Sequence, residues 1–597
     1  SQFGVAARSG EMENQMKRKF VQIAALCLSM ALLLAAGGGT ASAAPANSSR
    51  IIRVGLHYGT GAIEGLNLLN KVGSGFRFGY YDSANRFVEL GATSQTAISV
   101  VETMNVYYGI YNDYSCYHTA ITSSIAVGEY HLQLPGSYRT FAEAQEAASR
   151  YPGGFAAYIG GTYYARVGNY VTSDQARSAM ASLGVGAELK WTSEYGVNVV
   201  ATGTSNILFQ YDDENGSTTG LGVEPIQTGS EKCTTWSKGN HYPGGFRFER
   251  INGGRLTVVN IVEFEDYIEG VVGTEMSNSW PVEALKAQAV AARSYAVSLG
   301  SKHAAHHFDI CDDVDCQAYD GHSGAGSNTH AAVTQTTGLG CVYNGKPAES
   351  FYYSSNGGAS ESVSNVWNSN QSLYPYLVGK ADPYEASVTN LKNGWERTFT
   401  SSQIISKLLS GSNVTAPIVA AEVTAYTEAG NARLITFTDS AGKQFPVSSS
   451  RIYMNLGLPS FRFGFAGNGG ASQPAPDTPP ASGSVSINGS TTVNGTAGLY
   501  AIDGSGNISA VGNDVYVVTN GGTTSQLGQG GGQNQGQNTG NWSSSMRAVN
   551  GSITFVGKGW GHNVGMSQWG AYAMAQQGYT YLNILQFYYT GITVGYV

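Results

Sequence analysis

The segment EDYIEGVVGTEMSNSWPVEALKAQAVAARSYAV, residues 265–297, decides the fold of this part of the chain. It continues a β-rich run that starts GRLTVVNIVEF, which predicts strands up to about residue 272. Pro281 then opens a helix, because proline loses nothing at a first-turn position where its missing N–H would be unpaired. Apolar residues recur at helical spacing as far as Gly300, so the sequence predicts a long helix with an alanine-rich, closely packed face.

Length and charge limit the class of protein. The chain has 597 residues, which exceeds the size at which one hydrophobic core stops growing, so we expect several domains. Lys and Arg number 33 against 41 Asp and Glu, a net charge of −8, and charged residues make up 12% of the chain. This balance excludes a nucleic-acid partner, which requires a basic footprint. A surface rich in Tyr and Gly with little charge suits neutral sugars better than anions.

The first 43 residues have the pattern of a secretory signal. A basic stretch follows Met16, an apolar run covers residues 20–36, and Ala41-Ser42-Ala43 forms a small-residue cleavage site. We therefore expect translation to start at Met16 and the protein to be exported without a permanent membrane anchor. Five cysteines remain after residue 43, an odd number and too few for a disulfide scaffold.

The rhythm of the sequence divides the mature chain into segments. Residues 129–200 alternate as strand, helix, strand, strand, helix, strand, with YGVNVVAT as the last strand, which is the ferredoxin-like βαββαβ order. The predicted divisions are upstream residues and signal at 1–43, an N-terminal β segment at 50–115, the βαββαβ unit at 125–205, the main domain at 235–465, linkers with a small β segment at 466–548, and a C-terminal segment at 549–597 that docks on the main domain.

The βαββαβ unit resembles a known domain at RVGNYVTSDQARSAMASLG, residues 166–184. A strand ending in Val-Gly and a helix opening Thr-Ser-Asp-Gln-Ala is similar to the sporulation-related repeat (SPOR) domain. Members of that family bind peptidoglycan glycan strands stripped of stem peptides, so the resemblance implies the same ligand. A βαββαβ insert without a ligand is the alternative.

Four further stretches resemble the stage II sporulation protein D (SpoIID/LytB) family. They are residues 265–297, DICDDVDCQAYDG at 309–321, ESFYYSSNGG at 349–358 and GWGHNVGMSQWGAYAMA at 559–575. Four motifs in the right order are far more specific than one. The resemblance implies a mixed α/β (α+β) fold in which the SPOR-like unit is an insertion.

That family's catalytic acid corresponds to Glu275. Characterised members are lytic transglycosylases, which cleave the MurNAc–GlcNAc bond and close an anhydro ring on the muramic acid. One carboxyl group can protonate the leaving oxygen and then take a proton from the sugar's own hydroxyl, so a second carboxylate is not needed. Apolar neighbours such as Val272 and Met276 would raise the pKa of Glu275 toward the working pH. An electrostatic cap of the following helix is the structural alternative.

Other residues of the four motifs are candidates for the glycan groove. Arg293 could contact substrate or fix Glu275, or it could form a structural pair with Asp266 or Glu269. Tyrosine can stack on a sugar and donate a hydrogen bond, and a neutral, hydrogen-bonding role is the main expectation for His562. The predicted substrate-binding residues are Arg293, Tyr353, Ser354, Trp560, His562, Gln568 and Trp569.

A metal site is a further expectation from the resemblance. Some family members bind zinc through two Cys and two His, with one His directly before the second Cys. Here Cys311 and Cys316 are present with His306 nearby, but Asp315 replaces that His. Zinc accepts carboxylates, whereas a disulfide is the rival in an exported protein. No cofactor is required by the expected chemistry.

The resemblance therefore predicts a secreted, wall-associated lytic transglycosylase for peptide-free glycan strands of peptidoglycan. A rival from another class is a non-catalytic wall-binding protein that activates a cell-wall amidase as its partner. A structural wall protein would fit the Gly- and Tyr-rich composition, but it leaves the four motifs unexplained.

Overall fold

The computed structural model describes residues 50–214, 216, 219–388, 394–467 and 542–597, together with six short strands between 484 and 526. The architecture is mixed α/β, as predicted. The α-helices of these residues are α1 (Phe141–Ser149), α2 (Ser173–Leu183), α3 (Phe264–Glu275), α4 (Val282–Leu299), α5 (Ser327–Gln335), α6 (Val363–Trp367), α7 (Ser401–Leu408), α8 (Ser449–Leu456), α9 (Gln568–Gln576) and α10 (Tyr581–Tyr588).

A seven-stranded sheet lies under the helices that position the site. Its first strand, Ile51–His57, pairs antiparallel with Thr257–Glu263, so residues far apart in sequence share one core. In spatial order its strands are Ile310–Cys311, Ile51–His57, Thr257–Glu263, Gly245–Glu249, Leu221–Pro225, Phe76–Tyr81 and Phe87–Thr93. The central strand Thr257–Glu263 is buried on both faces for most of its length, which accounts for its continuous run of β-branched residues.

A ten-stranded sheet contains the βαββαβ unit. In spatial order its strands are Glu188–Lys190, Tyr130–Gln133, Thr162–Tyr170, Gly154–Ile159, Ile207–Asp212, Val197–Ala201, Ala97–Glu102, Gly65–Val72, Thr234–Ser237 and Asn240–Pro243. The first four strands, with α1 and α2, have the ferredoxin-like arrangement. The predicted last strand was wrong: Glu188–Lys190 closes the unit, whereas Val197–Ala201 pairs with Ala97–Glu102 deeper in the sheet. The unit is thus continuous with the rest of the protein through Gly154–Ile159 and Ile207–Asp212.

Smaller sheets attach the C-terminal segment. Two four-stranded sheets consist of Trp395–Thr400, Ser552–Lys558, Arg462–Ala466 and Trp542–Ser543, and of Gln444–Ser448, Ala432–Asp439, Ile418–Tyr426 and Ser545–Arg547. The last strand, Thr593–Tyr596, pairs with Leu339–Tyr343, which also pairs with Lys346–Pro347. Met566–Ser567 runs parallel to Tyr352–Tyr353. These pairings bring two of the four motifs side by side.

Other strands form small independent pairings. Val106–Tyr111 lies between Tyr114–His118 and Ala126–Val127. Three antiparallel pairs form the predicted small β segment: Ser484–Ile487 with Thr491–Asn494, Tyr500–Ile502 with Ile508–Ala510, and Tyr516–Val518 with Thr524–Gln526. The predicted signal at 1–43 and most of the two linkers lie outside the described residues. Within the described part, no helix is long and apolar enough to cross a membrane.

The prediction of strands up to about residue 272 is wrong in its second half. The strand ends at Glu263, and α3 follows immediately. Two acidic residues, Glu265 and Asp266, occupy the first turn of α3, where the positive end of the helix favours them. The β-branched residues before them predict a strand, so the acidic start of α3 was not recognised from the sequence. Glu275 therefore ends a helix rather than a strand.

Two glycines of α3 permit a close approach of the segment that follows Cys316. A Cβ on Gly270 would lie 2.5 Å from the Tyr319 ring, and one on Gly273 would lie 2.6 Å from the Ala325 nitrogen. Any side chain at these positions would push away the segment that follows Cys316. The EGVVG part of the motif thus allows this segment to run against α3.

Candidate functional site

Glu275 is the last residue of α3 and is half-buried. The helix ends there because Met276 turns to an extended conformation, with its N–H donating to Val272 O at 2.9 Å. Met276 is buried on one side of the carboxyl group, and Trp280 is partly exposed beyond it. Burial is the main cause that raises the pKa of Glu275 above its usual value. The carboxyl group is thus partly accessible and biased toward the protonated form.

Three hydrogen-bonding groups surround this carboxyl. Gln568 Nε2 donates to Glu275 Oε2 at 2.9 Å. The Ala318 N–H and the Tyr352 hydroxyl are the other two, and all three lower the pKa of Glu275, against the larger effect of burial. Among the described residues, no neighbouring charge contributes to the shift of this pKa. The geometry is that of one isolated acid rather than a carboxylate pair.

The hydroxyl of Tyr352 connects Glu275 to a buried chain of polar groups. Tyr352 OH donates to Gln317 Oε1 at 2.8 Å, and Gln317 Nε2 donates to Tyr267 OH at 3.0 Å. Neither Tyr352 nor Gln317 was among the residues predicted from the sequence.

The C-terminal glycine-rich turn brings Gln568 to Glu275. Ser567 caps α9, its Oγ accepting from the Gly570 N–H at 3.1 Å, so Gln568 is the first residue of the helix. Asn563 in this turn has φ of 64°, a left-handed conformation that asparagine tolerates. Asn563 Nδ2 also donates to Asn356 O at 3.0 Å and Ala359 O at 3.1 Å, which ties the turn to the FYYSSNGG segment.

An aromatic cluster includes Trp569, the residue after Gln568. Trp280, Trp569 and Tyr572 pack together, with ring centroids 4.8 Å, 5.0 Å and 5.4 Å apart, and each is partly exposed. Trp569 directly follows Gln568, which contacts Glu275. Partly exposed rings of this kind can stack against sugar rings. Sequence reasoning named Trp569 but missed Trp280 and Tyr572, although Trp280 stands in the quoted motif.

The other residues predicted for the glycan groove differ from one another in exposure and in contacts. Trp560 is 44% exposed and available to a ligand. Tyr353 is buried beside His562, with ring centroids 5.3 Å apart, so it packs inside the protein and Tyr352 faces the acid instead. Burial lowers the pKa of His562 to about 4, and its Nδ1 accepts from Val564 N–H, so it is neutral. Ser354 contributes its carbonyl, which accepts from the Trp569 N–H at 3.0 Å.

Arg293 belongs to the interior rather than to the groove. Its side chain is fully buried, and it donates to Glu265 in a bidentate pair at 3.0 Å and 2.7 Å and to Leu339 O at 2.6 Å. The alternative from the sequence, a structural ion pair of Arg293, was right about the role but wrong about the partner. Glu265 accepts the hydrogen bonds of Arg293, whereas Asp266 and Glu269 do not. A direct contact of Arg293 with substrate or with Glu275 does not fit this position.

A second buried carboxyl, Glu385, organises the same turn from the opposite side. Its oxygens accept from Ser355 Oγ, from the Asn356 N–H at 2.9 Å, from the Gly357 N–H at 3.3 Å and from Ser567 Oγ at 2.6 Å. Neighbouring Asp382 accepts from Asn356 Nδ2 and Tyr588 OH, each at 2.5 Å. These two acids fasten the FYYSSNGG segment to the C-terminal helices, and no sequence motif had indicated them.

The cysteine pair forms a cluster with a histidine and an aspartate. The ligand atoms of His303, Cys311, Asp315 and Cys316 all lie within 4.8 Å of one another. Cys316 Sγ is 3.3 Å from His303 Nε2, which is itself 3.4 Å from Asp315 Oδ2. Both thiols are free, and hydrogen bonds from Cys311 and His303 lower the pKa of Cys316. Two sulfurs, one imidazole and one carboxylate are a four-ligand set that suits zinc.

The histidine predicted for this cluster was wrong. His306 packs against Tyr58, with ring centroids 5.2 Å apart, and does not join the ligand atoms. His303 takes that place, and Asp315 occupies the position where a histidine was expected. The spacing of the three histidines in sequence gave no way to choose among them, because His307 has a left-handed backbone and the segment turns sharply.

A family match covers the first two of the four motifs. A family model described as Stage II sporulation protein (SpoIID) matches residues 252–343. The chain is 31% identical over 327 residues to a protein named amidase enhancer from Bacillus subtilis (strain 168), which covers 55% of this chain and 40% of that relative. It is 31% identical over 178 residues to stage II sporulation protein D of the same organism, covering 27% of this chain and 50% of the relative.

A third relative is an uncharacterised protein of Brachyspira hyodysenteriae (strain ATCC 49526 / WA1). The identity is 28% over 358 residues, which covers 60% of this chain and 73% of that protein. The chain spans half or less of the length of the two named Bacillus relatives. The family match contains α3, α4 and the cysteine cluster. Residues 252–343 therefore contain a domain of the stage II sporulation protein (SpoIID) family.

Proposed function

We propose that this protein is a wall-associated lytic transglycosylase that cleaves peptide-free glycan strands of peptidoglycan. The observation that carries the proposal is Glu275, a half-buried carboxyl whose pKa is raised by burial and which accepts from Gln568, the residue before the partly exposed Trp569. A protonated acid near neutral pH is what glycosidic bond cleavage requires of its first step. Two of the relatives are named for amidase enhancement and for stage II sporulation. A role in cell-wall remodelling during sporulation is part of this proposal.

The proposed mechanism uses one carboxyl group twice. Glu275 gives its proton to the glycosidic oxygen that leaves from the muramic acid. The resulting carboxylate then takes the proton of the muramic acid's own hydroxyl, whose oxygen closes the anhydro ring, so no water is consumed. Gln568 and Tyr352 hold the carboxyl in place through both steps, and the Trp280, Trp569 and Tyr572 rings provide surface against which sugar rings stack.

Digestion of denuded glycan strands tests this proposal. Purified full-length protein is incubated with strands from which an amidase has removed the stem peptides, and the products are identified by mass spectrometry. Anhydro-muramic ends are expected. Products that have gained water at the new end would indicate a hydrolase, and intact strands would remove the catalytic proposal.

The second candidate function is activation of a cell-wall amidase without cleavage. The 31% identity to a protein named amidase enhancer favours it. The partner would be a cell-wall amidase, and the aromatic cluster would then serve glycan binding alone. Release of stem peptides by a purified amidase, measured with the protein and with its Glu275→Gln variant, separates the two. Equal stimulation by both proteins together with intact glycan strands would support the enhancer.

We also propose that His303, Cys311, Asp315 and Cys316 hold a structural zinc ion. Bound zinc would supply crosslinking of the loop rather than chemistry on the glycan. Because Gln317 and Ala318 follow Cys316 directly and reach toward Glu275, the ligands would fix the segment that supports the acid. Metal analysis with thiol counting tests the site. One zinc per chain, lost in Cys311→Ser and retained in a His306→Ala control, is expected, whereas absent metal with two unreactive thiols would indicate a disulfide.

A further inference from the structure

A pocket on the βαββαβ unit has no part in the proposed glycan cleavage. It has a volume of about 300 Å³ and is lined by Glu129, Tyr130 and Trp191. Trp191 follows the closing strand Glu188–Lys190, and Tyr130 begins the neighbouring strand. Lys190 pairs with His131, so the antiparallel register brings Trp191 opposite Tyr130 on one face. Two aromatic side chains thus come together at the edge of the ten-stranded sheet.

The aromatic rings form two walls of an open corner. Their centroids are 6.3 Å apart and their planes are inclined at 71°. The indole of Trp191 is 62% exposed, although burying so large an apolar side chain would stabilise the fold. The faces of both rings carry negative electrostatic potential. An exposed corner of this kind is suited to a ligand with a positively charged group.

A carboxylate completes the pocket. Glu129 lies beside the hydroxyl of Tyr130, and the hydrogen bond between them together with the charge raises the pKa of Tyr130. Among the described residues, no lysine, arginine or histidine is within ion-pairing distance of Glu129, and Lys190 pairs with Glu188 at 3.0 Å instead. A neutral sugar would gain little from this uncompensated charge. A cation would be attracted by the carboxylate and by both rings.

We propose that Glu129, Tyr130 and Trp191 form a binding site for an organic ammonium group. The group could be supplied by an amino sugar that lacks its N-acetyl group or by the side-chain amine of a peptide. In either case the ammonium lies in the corner between the two rings, with Glu129 as its counter-charge. This site is separate from Glu275, so it does not depend on glycan cleavage.

Calorimetric titration of the full-length protein with three probes tests the site. At mildly acidic pH, a glucosamine trisaccharide and Nα-acetyl-lysine amide each carry ammonium groups, whereas N-acetylated chitotriose carries none. We expect at least one amine to bind about five- to tenfold more tightly than chitotriose, and the stronger one identifies the source. Chitotriose binding as tightly as both amines, or no binding of either amine, would overturn the proposal.

Variants locate the binding. Glu129→Gln and Trp191→Ala are each expected to weaken amine binding about fivefold or more, because each removes one of the attractions on the cation. Glu188→Gln is the matched control, since it neutralises a carboxylate on the adjacent strand that already pairs with Lys190. Unchanged far-ultraviolet circular dichroism and an unchanged thermal unfolding midpoint verify the fold. Loss of binding in Glu188→Gln but not in Glu129→Gln would contradict the assignment.

Discussion

Glu275 and Glu385 are two buried carboxyls that contact adjacent residues of the same turn, and they differ in what surrounds them. Gln568 donates to Glu275, and Ser567 donates to Glu385. Burial raises the pKa of both. Glu385 is 2% exposed and Asp382 lies beside it, whereas the Glu275 residue is partly exposed and has no charged neighbour among the described residues. A raised pKa alone therefore does not identify the reactive acid.

The donors distinguish the two groups. Each oxygen of Glu385 faces one backbone N–H, from Gly357 or Asn356, and a backbone N–H cannot reverse its direction. Glu275 meets one backbone N–H, from Ala318, and two groups that can adapt to a protonated or an ionised carboxyl, the Gln568 amide and the Tyr352 hydroxyl. Glu385 is thus built as an acceptor that fastens two segments together. In the proposed function, Glu275 exchanges a proton at a partly open surface.

Glu275→Gln has the largest expected effect, and it tests the proposed catalytic role of Glu275. The amide is nearly isosteric but cannot deliver a proton, so we expect glycan cleavage to fall about 10²- to 10⁴-fold. The fold and glycan binding should persist. The measurement is release of anhydro-muramic ends from denuded strands, with strand binding followed by co-sedimentation. Near wild-type cleavage would remove Glu275 from the mechanism.

The same substitution at Glu385 should act on stability instead. In Glu385→Gln the new NH₂ group faces either the Gly357 or the Asn356 N–H, so one donor loses its acceptor. We expect a loss of about 2–3 kcal/mol in the free energy of unfolding, as for a buried hydrogen bond to a charged group. Urea denaturation measures this loss. Glu361→Gln is a useful reference, since Glu361 is likewise buried and hydrogen-bonded but lies outside the turn at Ser567.

An unchanged midpoint in Glu385→Gln would show that the carboxyl is protonated and replaceable by an amide, which would contradict the distinction between the two acids. Activity per folded molecule should stay within a few fold of wild type, because Glu385 touches the groove only through Ser567 and the FYYSSNGG segment.

The sequence predicts those parts of the site whose residues belong to a periodic pattern or to a family motif. The helix at Pro281, the four motifs and the contact of the C-terminal segment with the main domain follow from periodicity and family resemblance. Glu275 was named, but as a strand end, because the acidic start of α3 follows a β-branched run. Gln568 was named as a groove residue, and its contact with Glu275 spans 293 positions that no local pattern encodes.

The residues that were missed share a physical reason. Tyr352 and Tyr353 are neighbours in a strand and so face opposite sides, but the sequence does not tell which side holds the acid. Asp382 and Glu385 lie in an irregular segment whose tertiary contacts alone give them a role. His303 was not preferred over His306 because the turn at His307 decides which imidazole points at the thiols.

Gln568→Leu has a smaller expected effect and tests the side-chain donor to Glu275. The Gln568 donor lowers the pKa of Glu275, so its removal should raise that pKa further. The first step needs protonated Glu275, and the alkaline limb of the pH profile should therefore move to higher pH while the maximal rate falls several-fold. Rates of glycan cleavage against pH measure this. Gln577→Leu, at the exposed end of α9, should leave the profile in place, and an alkaline limb that moves to lower pH in Gln568→Leu would contradict the assignment.

The smallest expected effect is on thermal stability, and it separates ionisation from packing at Glu275. Since burial in the folded protein raises the pKa of Glu275 above the ordinary value of a glutamate, about 4.3, the protonated form is favoured on folding. Its contribution is present below that value and is lost as the pH rises through the folded-state pKa. Glu275→Gln, which cannot ionise, should have the Tm of wild type near about pH 4 and exceed it by about 1–3 °C at neutral pH. Scanning calorimetry across this range measures the difference, and Glu385→Gln should instead be less stable at neutral pH. A Tm difference for Glu275→Gln that stays constant with pH would mean that shape, and not the proton, decides the stability of this site.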